Sequence, residues 1–262
     1  MLAYAFMRRA LVVGLMLGVV LPLMGIVVVN RRTSTVGDAL SHSSLAGIGL
    51  GLIFGFSPLF GAMIAAAVAA FFIDAIRHRF PENGDMATAM VMAGGVGLAS
   101  LFSDIAPTST HFESYLFGSI FTISGEEMGF ALFMSLLVLF LFFFEYYPLL
   151  HLMMDPGGAR LSGVSIKAMD FRFTLLLAIT VAIASRALGV LMVSSLMILP
   201  VATAMNLAKS YQKAVFASIF FGLIYVLIGV IVSYYFRIKP SGAIVILGIV
   251  VYSLSSGLKK FI

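Results

Sequence analysis

Nine apolar segments, separated by short polar or glycine- and proline-rich connections, constrain the fold of this chain more than any other feature. They cover residues 10–29, 37–56, 59–76, 86–102, 128–147, 173–188, 190–207, 214–236 and 243–254. A helix needs about 20 apolar residues to cross the hydrocarbon core of a bilayer. The pattern therefore predicts an all-α polytopic membrane protein with eight or nine transmembrane helices. A broken or re-entrant piece is expected where the sixth and seventh segments meet.

The composition excludes a soluble globular protein. Hydrophobic residues make up 61% of the chain, charged residues only 10%, and the mean hydropathy is +1.12, so a single transmembrane domain over residues 1–262 is expected. The first apolar run continues to Val29 without a small-residue cleavage site, which predicts a retained first helix. No basic face lies outside the apolar segments, which argues against nucleic-acid binding. Cysteine is absent, which excludes disulfides and thiolate metal sites.

The distribution of basic residues predicts which connections face the cytoplasm. Lysines and arginines gather in alternate connections and at the C-terminus, at Arg77, Arg79, Arg160, Lys167, Arg172, Lys209, Lys213, Lys259 and Lys260. Residues 104–127 contain none and are expected outside, and Arg237 and Lys239 then also fall outside. Nine crossings would place Arg8 and Arg9 outside as well, which conflicts with the same rule.

Asp38 and His42 are an ionisable pair at the start of an otherwise apolar, glycine-rich segment. Ionisable residues inside a membrane are costly and usually face a protein interior or a water-filled path. Their i, i+4 spacing directs both side chains to one helix face, as two metal ligands require. Two structural alternatives remain open: Thr35 to Asp38 resembles a capping box, and His42 could hydrogen-bond a neighbouring helix. The adjacent serines favour a polar, pore-facing surface.

Further polar motifs give weaker indications. Asp104, His111 and Glu113 could assist metal entry, although solvated loop polarity explains them equally well. Ser124 to Glu127 has the spacing of a capping box before the fifth segment. The glycine-rich stretches at residues 47–51 and 95–97 do not follow a strand, so helix packing is their expected role. No GxxxxGK[ST], HExxH, CxxC or GxSxG motif occurs, so the chain has no P-loop of its own to hold ATP.

Four stretches together carry a resemblance to a known family. Residues 30–51 contain an arginine pair followed by a GDALSHxxLxGxxLG-like run, and residues 189–204 are similar to a VGxLLVSxLLIIPAATA segment. Residues 115–120 (YLFGSI) and 233–246 (SYYFRIKPSGAIVI) add two shorter matches. The chain resembles the membrane permeases of metal-type ABC transporters, the ABC-3 family, from about residue 20 to 255.

The resemblance implies a type II-like importer architecture in the cell membrane (plasma or inner membrane). It implies a dimer of permeases, expected to be two identical copies, that pairs with cytoplasmic ATPase subunits and receives metal from an extracytoplasmic binding protein. Asp38 and His42 match the metal-path ligands of the family. The ATPase would contact residues 205–213, of which the candidates are Met205, Asn206, Lys209, Ser210 and Lys213. No covalently bound cofactor is expected, and ATP hydrolysis would occur on the partner subunit.

The cargo expected from the resemblance is Zn²⁺, with Mn²⁺ or Fe²⁺ as alternatives. The loop at residues 115–120 is more similar to the zinc branch, whereas manganese members more often carry an FGN-type loop. Two Asp and two His from paired chains would suit four-coordinate zinc, but manganese accepts the same ligands with added water. Other classes remain possible: an ion-coupled secondary transporter that uses Asp38 and His42 as a proton relay, or an intramembrane enzyme, which lacks a recognisable nucleophile and base.

Overall fold

A computed structural model describes residues 4–80, 84–105, 113–118, 120–155, 157–158 and 165–259. The helices in these ranges are α1 (Ala5–Asn30), α2 (Thr35–Phe54), α3 (Pro58–Arg79), α4 (Gly84–Ile105), α5 (Glu113–Phe117), α6 (Gly125–Phe144), α7 (Tyr146–Met154), α8 (Ile166–Leu188), α9 (Val190–Leu207), α10 (Tyr211–Phe236) and α11 (Pro240–Lys259). A short 3-10 turn covers Ile120–Thr122. The described part of the chain contains no strand, which confirms the all-α prediction.

The nine long helices coincide with the nine apolar segments, although most begin two to seven residues earlier than the apolar pattern indicates. The predicted break between the sixth and seventh segments lies at Gly189, which has a φ of 93°. A positive φ is readily adopted by glycine alone, so α8 ends at Leu188 and α9 begins at Val190. The predicted capping box before α6 is confirmed. The backbone N–H of Ser124 donates to Glu127 Oε2 and the backbone N–H of Glu127 donates to Ser124 Oγ, both at 3.1 Å.

Eight of the long helices in the described residues have the length and hydropathy of membrane-crossing helices. They are α1, α3, α4, α6 and α8 to α11. The exception is α2, whose 20 residues are long enough but include Asp38, His42 and several serines. The number of candidate membrane-crossing helices among the described residues is eight, the lower of the two predicted values, and α2 is a ninth long helix with a polar first half.

The chain divides into two compact units. The α9–α11 unit comprises Met1–Val29, His111–Phe133 and Ala184–Ile262, and the α2–α4 unit comprises Asn30–Thr110 and Met134–Ile183. In the α9–α11 unit, glycines bring helix backbones together. A Cβ on Gly25 would lie 2.1 Å from the carbonyl oxygen of Met197, and one on Gly222 would lie 2.3 Å from that of Gly18. These contacts pack α1 against α9 and α10.

In the α2–α4 unit, α2 packs closely against both α3 and α4. A Cβ on Gly47 would lie 2.1 Å from the carbonyl oxygen of Gly61 in α3, and a Cβ on Gly95 in α4 would lie 2.8 Å from the backbone nitrogen of Ser43. The packing role predicted for these two glycines is confirmed. Gly55 has a different role: its φ of 73° ends α2, and its N–H donates to the Gly51 carbonyl.

Candidate metal path on α2

The pair Asp38–His42 lies in the first two turns of α2. The capping-box alternative for this region is not supported. Ser34 rather than Thr35 precedes the helix, its backbone is already helical with φ −58° and ψ −29°, and its side chain makes no capping hydrogen bond. An acidic residue in the first turn is favourably placed in the field of the helix dipole. Both Asp38 and His42 are half-buried.

The contacts of α2 show which face carries the pair. Ser43 and Gly47 mark the face that packs on α4 and α3. At about 100° per residue, Asp38 and His42 lie on average about 140° around the helix from those two residues. The pair therefore points away from α3 and α4, and the hydrogen-bonding alternative for His42 has no partner on those two helices. One helix face packs the unit together, and the other presents a carboxylate and an imidazole.

Ser41, on the flank of this second face, has an unsatisfied hydroxyl. Its side chain is fully buried, at 0% exposure, and among the described residues its Oγ has no hydrogen-bond partner. By contrast, Ser43 Oγ donates to the Ala39 carbonyl at 2.8 Å and Ser44 Oγ donates to the Ser41 carbonyl at 2.7 Å. A buried polar group without a partner costs about 1–3 kcal/mol. Ser41 therefore differs from its neighbours in offering a free oxygen beside Asp38 and His42.

The arginine pair that precedes α2 anchors the start of this helix. Arg31 forms an ion pair with Asp170 in the first turns of α8, and each side chain is 23% exposed. The Arg31 guanidinium also lies 6.0 Å from the centre of the Phe173 ring. This anchor is not apparent from the sequence, because 139 residues separate Arg31 from Asp170 and no periodic signal links them.

Three of the four family-like motifs meet within the α9–α11 unit. Gly118, with a φ of 67°, packs against the break between α8 and α9, where a Cβ on Gly118 would lie 2.0 Å from the carbonyl carbon of Leu188. The Arg186 guanidinium lies 5.2 Å from the centre of the Tyr115 ring, and Lys239 Nζ lies 4.1 Å from that of Phe117. Residues 115–118, the YLFG loop, are therefore held in place by Arg186 and Lys239 and by the close packing of Gly118 against the break at Gly189.

Glu127 joins the same region to the start of α6. Its Oε1 accepts a hydrogen bond from Arg186 Nε at 3.1 Å and forms an ion pair with Arg186 Nη2 at 2.9 Å. Its Oε2 accepts the capping hydrogen bond from the backbone N–H of Ser124. One carboxylate therefore caps α6 and neutralises the last turn of α8.

The predicted ATPase-coupling residues lie at the end of α9, in the turn that follows it and at the start of α10. Ser210 precedes α10, and its Oγ accepts from the Lys213 backbone N–H at 3.4 Å. Asn206 Nδ2 donates to Ser255 Oγ of α11 at 3.2 Å. Met205 is 41% exposed, and Lys209 and Lys213 are also exposed. The turn is held to α11 and presents two lysines outward.

Of the three residues predicted to assist metal entry, only Asp104 has a side chain that the structure describes. Asp104 is exposed near the end of α4. His111 lies outside the described residues, and Glu113 begins α5 but its side chain is also outside the description. Within the described ranges, no group of three or more His, Cys, Asp or Glu side chains is arranged to hold a metal ion. Asp38 and His42 therefore stand as a pair.

Among the described residues, eight helices have the length and hydropathy to cross a membrane, which makes the chain a multi-pass membrane protein. The chain belongs to the ABC 3 transport family, whose model matches residues 3–259. The family expected from the sequence motifs is confirmed.

Relatives and a solved structure are similar to this chain over almost its whole length. A probable metal transport system membrane protein of Treponema pallidum is 32% identical, over 97% of this chain and 96% of its own length. The manganese transport system membrane protein MntC of Listeria monocytogenes is 25% identical, over 97% and 91%. Among solved structures, PsaBC from Streptococcus pneumoniae in complex with Fab has a TM-score of 0.86 at 25% identity and covers 96% of this chain and 91% of its own.

Proposed function

We propose that this chain is the permease subunit of an ATP-driven importer of divalent transition metal ions, and that Asp38, His42 and Ser41 line its translocation path. The observation that carries the proposal is the face of α2 that points away from α3 and α4. It presents a carboxylate, an imidazole and, on its flank, a buried hydroxyl without a partner. Such groups are ligands for Zn²⁺, Mn²⁺ and Fe²⁺. Residues 1–262 act together as one transmembrane permease domain.

The permease works as part of a larger assembly. The sequence has no P-loop, so ATP binds and is hydrolysed on a separate cytoplasmic subunit. That subunit contacts the turn from Met205 to Lys213. A second, identical permease brings another Asp38–His42 pair across a two-fold axis, since one pair is too small for a closed site. An extracytoplasmic binding protein delivers the metal, and Asp104, His111 and Glu113 assist its entry.

Three cargo ions are candidates. The loop at residues 115–120 favours zinc, and four ligands from two Asp38–His42 pairs suit a tetrahedral zinc ion. Manganese is the second candidate because Ser41 raises the number of N and O donors from two chains to six, which suits octahedral Mn²⁺. The name of the Listeria relative supports manganese. The name of a 28% identical relative of Haemophilus influenzae, a probable iron transport system membrane protein, keeps iron among the alternatives.

Uptake of radioactive zinc and manganese into cells that lack their own importers tests the proposal. Asp38→Asn and His42→Ala should each abolish uptake of the cargo ion while the protein remains in the membrane. Glu126→Gln is the matched control, because Glu126 is an exposed carboxylate at the start of α6. Wild-type uptake by both α2 variants would show that Asp38 and His42 do not line the translocation path.

A further inference from the structure

A second Asp–His pair, Asp74 and His78, repeats the spacing of the α2 pair near the end of α3. Asp74 Oδ1 lies 3.5 Å from His78 Nε2, and the two side chains are 17% and 33% exposed. We infer that this pair binds a divalent transition metal ion at a site separate from the face of α2 that carries Asp38 and His42. The inference rests on the proposed function only for the kind of ion.

The distance between the two atoms fits joint coordination of one ion. With metal–ligand bonds of about 2.1 Å, two ligands of a tetrahedral ion lie about 3.4 Å apart. The pair therefore needs little movement to hold a metal. An ordinary i, i+4 ion pair on a helix surface is the simpler explanation of the same geometry, and the experiment below separates the two.

The pair opens into a cavity of about 590 Å³ within the α2–α4 unit. Two further carboxylates, Asp85 and Asp170, and three arginines line it. The arginines are Arg31, Arg32 and Arg77. The cavity has room for the water molecules that would complete the coordination of a two-ligand site. Its three carboxylates balance its three guanidinium groups, so a divalent ion would be held weakly and released readily.

The cavity lies on a different side of α2 from the proposed path. Val36 of α2 lines it, and at about 100° per residue Asp38 and His42 lie about 200° and 240° around the helix from Val36. An ion at Asp74 and His78 therefore does not occupy the face of α2 that carries Asp38 and His42. Arg77 and Arg79 belong to the last turn of α3, which the positive-inside rule assigns to the cytoplasm. The site would bind ions already delivered to that side.

Co²⁺ is a suitable probe because its visible absorption reports both binding and coordination geometry. The measurement uses the full-length permease, purified with its partner subunits, in the Asp38→Asn/His42→Ala background. We expect this background to bind one Co²⁺ per chain when Co²⁺ is in excess. Adding Asp74→Asn or His78→Gln should weaken that binding at least tenfold. Glu126→Gln and His151→Gln, which remove a carboxylate and an imidazole from other helices, should leave it unchanged.

Three results would overturn the inference: no Co²⁺ binding in the background, binding unaffected by both α3 substitutions, or binding lost with His151→Gln. His78 lies in the last turn of α3 and is partly exposed, so His78→Gln keeps the test valid if Asp74→Asn does not assemble. The role proposed for Asp38 and His42 in the translocation path is tested separately, by metal uptake in variants that keep Asp74 and His78.

Discussion

Gly118 and Gly189 face each other so closely that neither position has room for a side chain. A Cβ on Gly189 would lie 2.3 Å from the backbone nitrogen of Gly118, and both residues have positive φ values. Real Cβ atoms essentially never approach backbone atoms this closely. The contact holds the YLFG loop against the break between α8 and α9.

Gly118→Ala and Gly189→Ala should each destabilise the protein by at least about 2 kcal/mol, because a methyl group adds both a clash and an unfavourable φ. Thermal unfolding in detergent measures the loss. Gly129→Ala is the matched control, since a Cβ on Gly129 in α6 meets nothing within 4 Å. Equal melting temperatures for the Gly118 and Gly129 variants would contradict the packing described here.

Ser41→Ala should reduce metal uptake without reducing stability. The hydroxyl of Ser41 is buried and has no partner among the described residues, so its removal relieves a cost of about 1–3 kcal/mol. Uptake should fall several-fold if the hydroxyl takes part in the path. Ser43→Ala is the control, because the hydroxyl of Ser43 already donates to the Ala39 carbonyl. A Ser41→Ala protein that transports normally would exclude the hydroxyl from the path.

Asp170→Asn should destabilise the α2–α4 unit by about 1–3 kcal/mol, because it leaves the largely buried Arg31 without its carboxylate. Combining it with Arg31→Gln should cost less than the sum of the single changes, since both partners are then neutral. Chemical unfolding of the four proteins gives the coupling energy. Arg32→Gln, at an exposed position, serves as the control. Strict additivity would show that the pair contributes nothing to anchoring α2.

Glu127→Gln and Glu127→Ala should separate the two roles of this carboxylate. Glutamine can still complete the capping box but loses the charge that pairs with Arg186, whereas alanine loses both interactions. Alanine should therefore cost about 0.5–2 kcal/mol more than glutamine, as measured by thermal unfolding. Glu126→Gln should have little effect. If the two Glu127 variants have the same melting temperature, the cap does not stabilise α6.

Charge reversal at Lys209 and Lys213 should uncouple ATP hydrolysis from transport. Both lysines are exposed beside the Ser210 cap, where a partner subunit can reach them. ATPase activity of the assembled complex and metal uptake, measured in parallel, should diverge in the double Lys→Glu variant. Arg237→Glu, at an exposed position in the turn between α10 and α11, should leave the ratio unchanged. Normal coupling in the lysine variant would place the docking surface elsewhere.

The apolar segments of the sequence predicted the long helices well, because in a membrane protein hydropathy alone separates helices from connections. The break at Gly189 and the Ser124–Glu127 cap could also be predicted, because both depend on residues that are close together in the sequence. Contacts between distant residues could not be predicted. The Arg31–Asp170 ion pair and the Gly118–Gly189 contact join parts of the chain that no local pattern links. The sequence also does not show that Gly55 ends α2 while Gly47 packs against a neighbouring helix.

Within the proposed site, the sequence identified Asp38 and His42 but did not distinguish the serines. Ser41, Ser43 and Ser44 look alike in the sequence, and only the hydrogen bonds of the folded helix separate the free hydroxyl from the two satisfied ones. The position of Asp74 and His78 beside a cavity likewise required the packing of α2, α3, α4 and α8.

The polarity of α2 has a consequence for how the protein is made. This helix carries Asp38, His42 and three serines in its first half, is not among the eight candidate membrane-crossing helices, and packs on α3 and α4. Both of those helices are synthesised after it. A nascent chain that ends near Ser57 lacks these two neighbours, so α2 should remain within the insertion machinery or on the bilayer surface. Once translation has passed Ile105, α3 and α4 can cover one face of α2 and carry it into the membrane. Biogenesis of this permease is therefore expected to proceed by joint insertion of three helices rather than one helix at a time.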